Sequence, residues 1–192
     1  MSTWEEYIRL NTDVISAPGI HTKLNSLILR LMQTPKDELS LIFTAGNGGS
    51  ATTADHFAAD LSLTNKRVGY PIAAICMNSH LGLNSALSND MSYESAFSEQ
   101  LKNFKGGDHI VIVFSASGNS KNLFNLLSTA TKMGIESWAF LGFNGGEIAR
   151  MPGINTLVFS DDSHNYGVAE NAHLVACHYV IEQINRALGI EA

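Results

Sequence analysis

The sequence is short of several things that would each have pointed elsewhere. It has two cysteines, Cys76 in an expected strand and Cys177 in an expected helix, and such a pair argues against a disulfide framework. Lysine and arginine total 12 against 18 acidic residues, a formal net charge of -6. No basic field exists to draw nucleic acid or an anionic membrane surface as the main partner. No apolar run approaches the length of a membrane span. Met1 to Leu10 carries Glu5 and Glu6 where a secretory signal would carry positive charge and then an apolar stretch, so cytoplasmic residence is the expectation. Proline/serine-rich linkers, charge blocks and repeats are also lacking. One domain over 1–192 is expected, with a helical pair over 1–36 and a body of sheet and helices over 37–192.

What is present is an alternation. Amphipathic spacing predicts helices over 3–16 and 20–34, the second closed by Pro35. Short apolar runs then recur at Leu39 to Ala45, Pro71 to Met77, His109 to Phe114, Glu136 to Leu141 and Asn155 to Phe159. They read as buried parallel strands. Helical segments over 51–63, 80–88, 93–103, 119–133, 146–151 and 167–188 separate or follow them. The fold class is therefore α/β, a doubly wound five-stranded parallel sheet with helices on both faces. Ligands of such sheets sit beyond the carboxyl ends of the strands, which directs attention to the loops after the first and third.

After the first strand comes Gly46-Asn47-Gly48-Gly49-Ser50, running straight into a helix. Glycines let backbone approach a ligand closely, and the unpaired amides of a helix start point at an anion. Gly46, Gly48 and Ala51 also satisfy the dinucleotide fingerprint. That fingerprint needs an acid about 20 positions on to hold a ribose, and no Asp or Glu lies between Leu61 and Asn89. The dinucleotide reading is rejected. After the third strand comes Ser115-Ala116-Ser117-Gly118-Asn119-Ser120, whose hydroxyls and amides can donate to a phosphate monoester without any cation. Either loop alone could be ordinary capping. Two on parallel strands favour the phosphate of a small metabolite, most simply a sugar phosphate.

Four residues apart, His56 and Asp60 share one face of the expected helix after the first loop, a spacing that suits one metal ion. Near the C-terminus, Glu170 and His178 lie two turns apart and face one pocket only approximately. His173 competes on spacing alone, while His21, His80, His109 and His164 read as structural.

The Gly-Asn-Gly-Gly-Ser loop, His56-Phe57-Ala58-Ala59-Asp60, the Asn89-Asp90 pair, the serine loop and the last helix together resemble the sugar isomerase (SIS) domain family. Within it the likeness is to the phosphoheptose isomerases, and it spans nearly the whole chain. The resemblance implies a homotetramer with active sites between subunits, a zinc ion, and interconversion of sedoheptulose 7-phosphate and D-glycero-D-manno-heptose 7-phosphate. It implies sugar-phosphate contacts at Asn47, Gly48, Gly49, Asn89, Asp90, Ser115, Ser117, Ser120 and Glu170. Metal ligands are implied at His56, Asp60, Glu170 and His178, with Asp60 as base, or Glu170 if Asp60 falls short, and His178 as acid. The chain departs from the family pattern at Asp60 and Glu170, where Glu and Gln are usual, and at Thr64 and Gly167, near an expected arginine and aspartate. Lys66 or Arg67 is a candidate to replace the first. The rival reading is a SIS protein without catalysis that senses a sugar phosphate or binds a partner such as a replication initiator of the DnaA type.

Overall fold

The structure, a computed structural model, describes residues 3–34, 40–68 and 72–190, and for 65–68 the backbone alone. Two helices lead, α1 (Trp4–Ile15) and α2 (Ile20–Met32). Thr3 starts α1 with a capping box: its hydroxyl accepts from the Glu6 amide, and the Glu6 carboxylate accepts from the Thr3 amide. Each strand then feeds a helix or turn in the order β1 (Ile42–Gly46), α3 (Gly49–Val68), β2 (Ala74–Cys76), α4 (Leu81–Asp90), α5 (Ala96–Leu101), β3 (Ile110–Ser115), α6 (Lys121–Lys132), β4 (Glu136–Gly142), β5 (Ile154–Phe159) and α7 (Tyr166–Ala187). The five strands are all parallel and lie in the order β2-β1-β3-β4-β5.

Alternation along the strands makes two cores. Ile42, Ile112, Phe114, Phe140 and Phe159 point to one face, where α2, α3 and α7 cover them. Phe43, Val111, Val113, Ala139 and Leu141 point to the other, beneath α5 and α6. Central strands β1 and β3 are buried throughout, as a sheet covered on both sides requires. Arg30 fastens α2 to the amino-terminal ends of β3 and β4 through Glu136 (2.5 Å) and Asp108 (2.7 Å).

Several expected boundaries move. The helix after β1 runs to Val68 rather than stopping at 63, since nothing in Thr64 to Val68 breaks a helix. The segment 146–151 holds only a 3-10 turn, Ile148–Arg150, with left-handed Gly146 before it and Pro152 after it. α4 is shifted toward the C-terminus relative to 80–88, α5 is shortened relative to 93–103, and β2 keeps three residues of the expected seven. Pro35, Leu39 and Pro71 lie outside the described residues.

One buried group is out of character. His173 is fully buried on α7 between the rings of Phe114, Phe140 and Phe159, and neither ring nitrogen has a well-formed hydrogen bond. Burial pushes it down to about 4, against a weak opposing influence of the Leu141 backbone. The unfolded chain takes up this proton near pH 6.5 and the folded chain only near pH 4, so folding stability falls as the pH is lowered between those values. Between pH 7 and 5 the native protein should lose about 2 kcal/mol more than His173→Leu. Urea unfolding at the two pH values reads the difference, and parallel losses in both proteins would contradict it.

Candidate functional site

The strand order reverses between β1 and β3, so the loops that follow them open side by side at the carboxyl end of the sheet. Gly48 of the first loop is left-handed, at φ 55°, and Gly49 begins α3. Asn47 is held from two directions. It exchanges amide hydrogen bonds with Asn122 of α6 (3.0 and 2.8 Å), and the Tyr93 hydroxyl donates to its oxygen at 2.6 Å.

In the second loop the Ser115 hydroxyl accepts from the Gly118 amide at 3.0 Å, and that of Ser117 from the Asn119 amide at 3.3 Å. Ser120 occupies the N-cap position of α6, yet its side chain makes no capping hydrogen bond. Capping therefore does not account for that hydroxyl, which lines the cleft between the two loops. Gly118 is left-handed as well, and any side chain there would collide with the Gly145 carbonyl. The loops after β3 and β4 thus pack backbone to backbone, joined by the Ile148 amide on the Gly118 carbonyl and the Glu147 amide on the Asn119 side chain.

Between the two loops lies a cleft of about 140 Å³. Ser50, Ser115, Ser117, Ser120 and Tyr166 bring hydroxyls to it, Asn47 an amide and Glu170 a carboxylate. Among the described residues, no lysine or arginine lines it. Its volume is well below the roughly 300–1,000 Å³ that encloses a drug-sized ligand, so it has room for a small group such as a phosphoryl and not for a whole sugar phosphate.

Glu170 enters the cleft because α7 starts at a fixed point. The Asp161 side chain accepts from the Ser163 amide and hydroxyl (both 2.8 Å) and from the Asn165 amide (2.9 Å). Burial opposes its ionisation, but these donors prevail and hold its carboxyl below the usual carboxylate range. Asn165 in turn caps α7 by accepting from the Gly167 and Val168 amides. Gly167 lies under α1, where a Cβ would meet the Tyr7 hydroxyl at 3.1 Å.

The second centre lies farther along the same helices. α3 and α7 run side by side in one direction: Glu170 lies over Gly49, the His178 and His56 rings are 5.0 Å apart, and Thr64 donates to Asn185. Ligand atoms of His56, Asp60 and His178 all fall within 4.8 Å of one another. His56 Nε2 and Asp60 Oδ2 are 3.3 Å apart, about the separation of two ligands held roughly 2.0–2.1 Å from one tetrahedral ion. An i,i+4 ion pair accounts for two of these residues. Convergence of the third from another helix makes a divalent cation the better fit. Neighbouring Cys177 is buried, and burial with the nearby Asp60 charge pushes its thiol up, so it stays neutral beside the trio.

Glu170 is outside this group and lies in the cleft. His173 points into the core rather than toward the trio. Asn89 and Asp90 end α4, exposed and hydrogen-bonded to each other, and they do not line the cleft. Thr64 is buried, with its hydroxyl on the Asp60 carbonyl and the Asn185 side chain. The side chains of Lys66 and Arg67 lie outside the described residues. His21 bonds Tyr179, His80 caps α4, His109 accepts from the Leu41 amide and His164 contacts the Asp162 carbonyl, all structural roles as expected. Sequence reading missed Ser50, Tyr93, Asn122 and Tyr166. Of these, Ser50 alone lies within a loop that the sequence singled out, though not as a contact.

These features agree with what the chain is similar to. The SIS domain pattern matches residues 21–142. A probable phosphoheptose isomerase of Thermoplasma acidophilum is 29% identical over 92% of this chain and 91% of its own length. The phosphoheptose isomerase of Sulfurimonas denitrificans is 34% identical over 75% of this chain and 72% of its own. Among solved structures, a phosphoheptose isomerase from Neisseria gonorrhoeae shares the fold at a TM-score of 0.80 and 24% identity, each chain being covered to 95%. With a reversed sheet order that sets two neutral anion loops side by side, and two parallel helices that bring three metal-type donors together, the chain belongs to the SIS domain family and, within it, to the phosphoheptose isomerases.

Proposed function

We propose that the protein interconverts sedoheptulose 7-phosphate and D-glycero-D-manno-heptose 7-phosphate at a site that binds phosphate in the serine cleft and does its chemistry at the His56, Asp60 and His178 trio. The observation that carries this reading is the pairing of the two centres along α3 and α7. A phosphate end and a carbonyl end of one open-chain sugar need two such centres, set apart. Zinc is the cofactor we propose, held by His56, Asp60, His178 and, from the cleft side, Glu170.

Moving the carbonyl from C2 to C1 requires loss of a C1 proton, a proton on the C2 oxygen, return of a proton to C2 and release of the O1 proton. Asp60 takes the carbon-bound proton and returns it. His178 supplies and removes the oxygen-bound one. A divalent ion would supply positive charge that favours the developing oxyanion. The serine cleft fixes the far end of the chain, so its contacts orient the reacting carbons without touching them.

Residues 1–192 act as one SIS unit in this reading, in a cytoplasmic enzyme assembled as a homotetramer. Exposed His56 and His178 are then covered by a neighbouring subunit. Exposed Trp4 and Ile8 on α1 and Leu29 on α2 offer apolar surface for that assembly.

Replacing Ser117 and Ser120 together by alanine should weaken sugar-phosphate binding by about 1 to 3 kcal/mol. Calorimetry checks this, and unchanged affinity would remove the phosphate from the cleft. Stripping the metal with a chelator should abolish isomerisation of the heptulose phosphate, and one equivalent of zinc should restore it. His178→Ala should lose both metal and turnover. A metal-loaded protein that converts no heptulose phosphate would overturn the reading in favour of the sensor or initiator-binding regulator.

A further inference from the structure

Glu170 is an acid in the wrong place for a site that binds anions. Its carboxylate lies over Gly49 inside the serine cleft and has no hydrogen bond or ion pair with any described residue. No lysine or arginine among the described residues lines the cleft beside it. A phosphate monoester carries a charge of roughly -1.5 to -2 near pH 7, and two anions cannot share one small, half-enclosed space without strong repulsion. The carboxylate and a phosphoryl group therefore compete for the cleft.

The alternative position for that carboxylate lies down the same helix. Side chains of a helix lean toward its N-terminus, which carries His56, Asp60 and His178 toward the level of Gly49 and Glu170, while the Glu170 carboxylate, leaning the same way, meets them by turning toward the C-terminal end of its helix. With a divalent ion, the two neutral imidazoles and the Asp60 carboxylate leave one formal positive charge unbalanced. One further carboxylate neutralises it. Glutamate, unlike a neutral amide, is thus repelled by the ligand of one centre and attracted by that of the other.

We propose that Glu170 is an arm shared by two sites: a phosphoryl group in the serine cleft drives its carboxylate out, a divalent ion at His56, Asp60 and His178 draws it in, and each ligand strengthens the binding of the other. The inference rests on the two-centre reading above and adds a coupling between the centres. Such coupling is reciprocal, since each ligand favours the same side-chain position.

The test uses methyl phosphate, which holds no sugar chain to reach the trio. Its affinity is measured by calorimetry for chelator-treated protein and for protein reloaded with one equivalent of zinc and freed of excess. The native chain should bind methyl phosphate on the order of tenfold more tightly with zinc. Zinc should in turn resist extraction by a chelator more strongly when methyl phosphate is present. In Glu170→Gln the metal-free protein should already bind methyl phosphate tightly, and zinc should change that affinity less than about twofold. Equal native affinity with and without bound zinc overturns the coupling and leaves the phosphate cleft standing. A full zinc effect in Glu170→Gln also overturns it, because the charge of the ion would then be acting directly. No binding of methyl phosphate in either state overturns the cleft itself, and the coupling with it.

Discussion

Everything functional in this molecule depends on α3 and α7 lying side by side, in one direction, on a single face of the sheet. Small and apolar residues make that contact close: Ala54, Phe57, Ala58 and Leu61 on α3, and Ala172, Ala176 and Val180 on α7, all buried in one core. Three levels of contact follow along the pair, Gly49 with Glu170, His56 with His178, and Thr64 with Asn185. A β-carbon at position 49 would meet the Glu170 carboxylate in its present position, so the first level is close enough that a larger residue would displace that side chain. If the helices slid by a turn, the cleft and the trio would lose their partners together.

The electrostatics of the site follow from the same geometry. An acidic chain cannot rely on a basic surface to gather an anion, and no cationic side chain among the described residues lines the cleft. Its donors are neutral hydroxyls and amides at the starts of α3 and α6, where the helix dipoles add positive potential. In the proposed reaction, positive charge for the chemical step comes from an ion at the trio. This division places a neutral grip at the helix starts and charge two turns away.

Much of this was legible in the sequence because it is local. Strand runs, the two glycine- and serine-rich loops, and the i,i+4 spacing of His56 and Asp60 are properties of short stretches. The position of His173 was also written in the sequence. Ala169, Ala172, Ala176 and Val180 make an apolar stripe on α7 with His173 in its middle, which outweighs its spacing from Glu170. What could not be read is long-range. Asn122 reaches Asn47 from 75 residues away and Tyr93 from 46, and no spacing rule links them. Asn89 and Asp90 showed the converse, since a motif placed them at the site while α4 ends with both exposed and bonded to each other. Glu170 fell between the two cases: eight residues from His178, it shares the face toward α3 but stands at the level of the cleft.

The central claim is that one substrate spans two separate centres along the helix pair. It is tested most directly by a crystal of the zinc-loaded protein soaked with sedoheptulose 7-phosphate, with the metal located by its anomalous scattering. The account predicts one zinc peak among His56, Asp60 and His178. The phosphorus should lie between Ser115, Ser117 and Ser120, separated from the metal by about two helical turns, on the order of 11 Å. A phosphate bound directly to the metal, with the serine cleft holding no part of the sugar phosphate, would contradict it.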